Sequence, residues 1–369
     1  MRLALLVALV VVSACGGSTA GGLSSQQTVR PATSPSSTLS HPLLEVLLPG
    51  QVVLIDLTGH IVAGTPQVPV VSSGFAGLVP VGAGGDRAAY LDTSSGVLWA
   101  LHRDGRVERL ATTTVSYQQV LFSPDGEEWA WVEQTTTPDG KVHSRLHIGG
   151  SGVDRVIQEV TDPDHALRPF RWDAAGLVVE REAIGRGGYV PFDTATGPVE
   201  SVNTKTGLIQ PLMVPPGCTF AALAIDGTIA CQTQSSSGTT MTIITPGGGT
   251  STTTLPLPGF NSAGNISFKP DPAATKLAIG GDSWDATHAN VAGQMATGIV
   301  DIRSGGALQP LGPAGLAPAG GDDWVWLGDG SIVAMGWLRD PASDTGVWLL
   351  RADGTAHRIS SGQAFGVLN

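Results

Sequence analysis

From residue 43 onward the chain alternates short apolar runs with turns, in a repeating order. An apolar strand meets a tight Asp-Gly or similar turn, then an Ala- or Val-rich strand, a loop, a third strand, a second tight turn and a last strand. Runs this short, bounded by Gly, Asp and Pro, predict β-strands rather than helices. The stretch FSPDGEEWAWV from Phe122 sets the pattern. WLGDGSIVAM from Trp326, FRWDAAGLVV from Phe170, FKPDPAATKLAI from Phe268 and LAIDGTIA from Leu223 repeat it in degenerate form. Their aspartates, Asp125, Asp173, Asp226, Asp271 and Asp329, recur at intervals of roughly 45 to 58 residues, the length of one four-stranded sheet with its connections. Glycine in the turn supplies positive φ for a hairpin, and the aromatic before it is placed to wedge between neighbouring sheets.

This repeat predicts an all-β fold, a β-propeller. The motif Phe122-Ser123-Pro124-Asp125-Gly126 resembles that of the TolB-type propeller family, whose blades carry an aromatic-Ser-Pro-Asp-Gly turn before an apolar strand; the other repeats keep chiefly the aspartate. Six complete blades fall near 77–111, 117–160, 167–212, 217–257, 263–311 and 321–360. Two remnants are left over, VVLIDLTGHIV from Val52 and QAFGVLN from Gln363. Joined, they make a seventh blade with the C-terminal strand innermost, which removes exposed sheet edges. Seven blades give a period of about 47 residues and six about 54, against a usual 40 to 50, so seven is favoured and six is the alternative.

The first 42 residues read differently. Met1-Arg2 and the apolar LALLVALVVV (3–12) outline a signal peptide spanning 1–14. Ten residues rise only about 15 Å as a helix, half the hydrocarbon thickness, which disfavours a permanent span. Val12-Ser13-Ala14-Cys15 resembles the lipobox of bacterial lipoproteins. That resemblance implies a diacylglycerol on the Cys15 thiol and anchorage at the outer face of the cytoplasmic membrane. The remainder of 15–42 is rich in Gly, Ser, Thr and Pro and reads as a tether with a reach of roughly 30 Å. The propeller then occupies 43–369.

Charge narrows the partners. Only 14% of residues are charged, and the net charge of -11 comes with no basic run, so nucleic acid is a poor partner. Cys218 and Cys231 remain for a possible disulfide. A two-residue turn at Asp226-Gly227 would set Cys231 opposite Ala222, four residues or about 13 Å from Cys218, beyond the ~7 Å limit of a bridge. Only a curl of Pro215-Pro216-Gly217 would close it.

Ligand groups are expected at the end of the ring where connections are long: EQTTTPDG from Glu133, the 183–197 and 280–296 stretches, LRDPASDTG from Leu338 and the inter-blade TDPDH from Thr161. The candidate residues there are Arg186, Tyr189, Trp284, Asp285, His288, Arg339 and Asp340, with Asp162, Asp164 and His165. Trp284 and Trp337 are placed for stacking on a sugar. Trp129 with Trp131, and Trp324 with Trp326, read as packing one strand face. His143 and His147 read as a solvated face about 13 Å apart, too far to chelate one metal. No serine-hydrolase elbow, zinc motif or phosphate-binding glycine loop is present, so neither a catalytic residue nor a cofactor is expected. These readings predict a monomeric, membrane-anchored, non-catalytic scaffold binding an envelope protein or glycan. The alternatives are a propeller enzyme of hydrolase, lyase or quinone-dependent dehydrogenase type, or a carbohydrate-binding module.

Overall fold

A computed structural model describes residues 41–66, 77–112, 120–150, 152–184, 195, 197–235, 238–254, 266–281, 296–312, 317–318, 324–337 and 345–368. Among these there is no helix, and the strands form seven antiparallel sheets, the blades of a propeller. Blade 1 joins the two ends of the chain: Gln363–Leu368 lies at its inner edge, followed by Leu43–Leu48, Gln51–Ile55 and Ile61–Gly64. Blade 2 spans Leu78–Thr112, blade 3 Leu121–Asp162, blade 4 His165–Pro211, blade 5 Thr219–Thr254 and blade 6 Ile266–Pro310. In blade 7 the inner strand is in two pieces, Ala317–Pro318 and Trp324–Trp326, both paired with Ile332–Trp337. Gly346–Leu350 and Ala356–Ser360 complete that blade. The ring is therefore seven-bladed, closed as the two remnants predicted.

Strand periodicity explains how the ring holds. Successive side chains point to opposite faces, so each strand serves two neighbours. Val53 and Ile55 pack with Val333 and Val347 of blade 7, while Val52 and Leu54 pack with Ala88, Tyr90 and Leu101 of blade 2. Trp129 and Trp131 face Leu91 and Leu98 of blade 2, and Ala130 and Val132 face Leu167 and Leu177 of blade 4. The same division continues around the circle, one apolar cluster for each seam between consecutive blades. The aromatic wedges fall in these seams: Phe122 beside blade 2, Phe170 edge-on to Phe220 at 5.9 Å, and Trp326 donating Nε1–H to the Lys269 carbonyl at 2.9 Å. Inner strands approach closely enough to require glycine. A Cβ on Gly82 (φ +144°) would lie 2.0 Å from the Val120 carbonyl oxygen, where Val120 N–H bonds to Val81 C=O.

The Asp-Gly turns act locally, as their residues predict. The carboxylates of Asp104, Asp125, Asp226, Asp329 and Asp353 each accept the amide N–H two residues on, and the following glycines hold φ near +73 to +84°.

One open reading is decided and two are corrected. Cys218 and Cys231 are bridged, with Cα atoms 5.6 Å apart. The turn is wider than two residues, since Leu223 pairs with Ile229, and a bulge at Ala221 moves Cys231 opposite Phe220. Cys218 N–H then bonds to Pro215 C=O, curling the approach so that the thiols meet. The stretch from Glu133 is not an open loop: Glu128–Thr136 and Val142–Gly150 pair to their tips, closed by a turn at Thr137–Lys141. His147 is not on a solvated face. It is 8% exposed, stacked on Trp131 with centroids 4.2 Å apart, and its Nδ1 lies 3.0 Å from Asp154.

The bridge has a measurable consequence. Loop-closure entropy for a separation of 13 residues is worth about 3 kcal/mol. At 2–4 °C per kcal/mol for a large domain, Cys218→Ser/Cys231→Ala should lower Tm by roughly 6–12 °C in calorimetry. Reduction with dithiothreitol should match the double variant, and an unshifted Tm would remove the staple from the stability account.

Candidate functional site

The topology separates two ends. Turns between first and second strands and between third and fourth strands share one end, the tight-turn end. Connections between second and third strands, and between blades, share the other. On that second end some links are short, as at Leu48–Gln51 and Asp162–His165. Those spanning 184–198, 282–295 and 338–345 are long. We call it the loop-rich end.

Blade 4 supplies its best-defined side chains. Val153–Asp162 ends blade 3 and His165–Asp173 begins blade 4, with only two residues between. The Asp162 carboxylate makes this tight crossing by accepting the amide N–H groups of Asp164 at 2.7 Å and His165 at 2.9 Å. These amides, with the His165 ring 3.4 Å away, hold its carboxyl below the ordinary value. Asp164 C=O accepts from Ile184 N–H, tying the crossing to the stem of the 184–198 connection. The structure thus brings Asp162, Asp164 and His165 together, as the shapers of a turn.

Beneath that turn lies a charged base the sequence reading did not single out. Glu180 is fully buried; it accepts from the Gly197 amide at 2.9 Å and from the Arg168 guanidinium at 2.5 Å. Arg168 also lies 3.6 Å from Glu182 and sits over the Phe170 ring at 5.1 Å. On the opposite face of the same strand, Arg181 donates to Glu200 at 2.9 Å, and Gln158 of blade 3 donates to Glu200 at 2.7 Å. Backbone bonding from Arg181 N–H to Pro198 C=O closes the stem of the connection. The sequence signal was available in Glu180-Arg181-Glu182, three charges ending an apolar strand. Their division between two seams needed the neighbouring blades to be known.

Chemically, this base is an anchor. Its carboxylates are engaged by guanidinium or amide donors, which fixes their orientation and braces the stem of the connection. Among the described residues no three His, Cys, Asp or Glu side chains converge as a metal site. Cys15, Arg186, Tyr189, Trp284, Asp285, His288, Arg339 and Asp340 lie outside the described residues. Trp337 ends a strand on the loop-rich end.

The tight-turn end differs. There Ala174 N–H bonds to Pro272 C=O at 2.9 Å, joining blade 4 to blade 6 past blade 5. The buried Arg171 guanidinium donates to the Phe268 carbonyl on the same crossing and lies over Phe170 at 4.6 Å. Burial pushes the Asp173 carboxyl up to about 6, with Asp271 adding to the rise.

No family model matches this sequence, and no curated protein matches it. Solved structures are similar in fold. The acylaminoacyl peptidase of Pyrococcus horikoshii aligns with 87% of this chain at 9% identity and a TM-score of 0.53; the chain spans about half of that protein, 51%. AztD of Citrobacter koseri aligns over 89% of this chain and 96% of its own at 13% identity, TM-score 0.46. Oligogalacturonate lyase of Vibrio parahaemolyticus aligns over 72% and 74% at 11% identity, TM-score 0.45. Identities this low speak to the fold alone.

Proposed function

We propose that this protein is an exported lipoprotein, anchored to the outer face of the cytoplasmic membrane through Cys15. Its propeller, TolB-like in its Phe122–Gly126 motif, is a non-catalytic scaffold that binds an envelope protein or glycan on the loop-rich end. The observation that carries the binding reading is the braced stem of the 184–198 connection. Glu180, Asp164 and Arg181 pin both of its ends to rigid strands, and ligand groups are typically displayed on loops held this way. Supporting export is the Cys218–Cys231 bridge, because structural disulfides persist in oxidising compartments.

Two measurements test this. Cys15→Ala should abolish incorporation of radiolabelled palmitate and move the protein from the membrane to the soluble fraction; retention in the membrane would contradict the anchor. Residues 41–369, which hold all seven blades, should enrich a specific protein or glycan when immobilised and exposed to envelope extract. Repeated failure to enrich either would remove the scaffold reading.

A further inference from the structure

We infer that the propeller is polarised relative to the membrane, with its tight-turn end toward the bilayer and its loop-rich end held away from it. This rests on the lipid-anchor reading above and adds to it a direction.

The direction comes from where the chain enters the ring. Leu43 pairs with Leu368, so the start of the first strand and the end of the last lie side by side. They take the place that a first-to-second-strand turn occupies in the other blades, which is the tight-turn end. Arg103, in the turn joining the third and fourth strands of blade 2, fastens both. It donates to the His41 carbonyl at 2.6 Å and to the Leu368 carbonyl at 3.3 Å. Its own amide bonds to Asp86 C=O in the neighbouring turn of that blade, so the clamp is fixed to the tight-turn end. Covalent continuity then requires the segment leading back to Cys15 to leave from this end.

Length decides what the segment can reach. Among the described residues the blade 1 strands have four to six residues and the longest strand, Val153–Asp162, has 10, so the body is about 20 to 30 Å deep. By its composition alone, a Gly/Ser/Thr/Pro-rich stretch as long as 15–40 would have a root-mean-square reach of roughly 30 Å. Turning the loop-rich end to the bilayer would use most of that reach on the depth of the ring alone, which costs chain entropy. With the tight-turn end inward, no such stretching is needed.

The two ends also differ in what they offer. The tight-turn end is crossed by the Ala174–Pro272 bond and the Arg171–Phe268 contact. It also displays Asp125, Asp226 and Asp353, exposed carboxylates stabilised in ionised form by hydroxyl and amide donors of their own turns. Arg303 pairs with Asp226 at 3.1 Å, so this rim carries charges of both signs.

Two exposed turn residues report the orientation, Ala352 on the tight-turn end and Pro138 at the tip of the blade 3 hairpin on the loop-rich end. Full-length lipidated protein carrying Ala352→Cys or Pro138→Cys, labelled with a donor fluorophore, is reconstituted in phosphatidylcholine–phosphatidylglycerol vesicles containing an acceptor-labelled lipid. Energy transfer from position 352 should exceed that from 138 several-fold. Equal or reversed transfer in protein that floats with the vesicles would overturn the polarity. Protein that fails to float removes the anchor itself, a separate result that withdraws the orientation with it.

Discussion

Deletion of Gln363–Asn369 abolishes the cooperative thermal transition and drives the protein into soluble aggregates, as read by calorimetry and size-exclusion chromatography. Gln363–Leu368 is the inner strand of blade 1 and, among the described residues, is paired only with Leu43–Leu48. It contributes Ala364 and Val367 to the seam with blade 7 and Leu368 to the seam with blade 2, all buried. Val367 and Leu368 alone represent roughly 1.5–3 kcal/mol each. Their loss, with that of the strand's backbone ladder, is comparable to a total stability of about 5–15 kcal/mol. The deletion also bares an edge of Leu43–Leu48 and uncovers the Gly366–Ala83 contact with blade 2, an invitation to pair with another copy. An unchanged melting temperature and a monomeric elution profile would show that the ring does not depend on this closure.

The second large effect concerns Glu45, on the adjacent strand. Its side chain is 0% exposed, and neither carboxyl oxygen has a partner. Strand alternation sets it on the face of Leu43 and Leu47, which belong to the seam with blade 2. Burial raises the Glu45 carboxyl well above its ordinary value. The sign of the linkage follows. Above about pH 4.3 the unfolded chain loses this proton while the folded chain keeps it, so stability falls by about 1.4 kcal/mol per pH unit until the folded group itself ionises. Asp173, raised to about 6, acts in the same direction up to its own value, so a decline that continues above about pH 6 is the one that reports Glu45. Denaturant unfolding from pH 6 to 8 should therefore show a decline in the wild type that Glu45→Leu and Glu45→Gln both flatten. Glu45→Leu should be the more stable of the two, since it leaves no buried polar group unpaired. Parallel curves for wild type and both variants would refute a neutral buried carboxyl at this position.

Glu45 and Cys231 also show where reading the chain stops. Within LLEVLL, Glu45 is the one charged residue of an apolar run, and the run does not say what covers it; in the ring its face meets blade 2. For the cysteines, turn chemistry identified the hairpin, but one bulged residue at Ala221 and a wider turn changed the offset from four residues to two and brought the thiols together. The solvated-face reading of His147 failed because the stacking surface of Trp131 and the Asp154 carboxylate come from the strands on either side of it.

What the amino-acid order determined by itself was the set of interactions made within a few residues: the Asp-Gly turns, the period-two strands, their recurrence at blade length and the two unpaired remnants that demand each other. Those are local choices of φ and side-chain direction, and they survive any arrangement of neighbours. Only the tertiary structure decided which polar groups are sealed in, which cysteines meet and at which end the chain leaves the ring. Each of these depends on two faces of a strand being covered by different blades, and register and ring closure assign that covering from residues tens to hundreds of positions away.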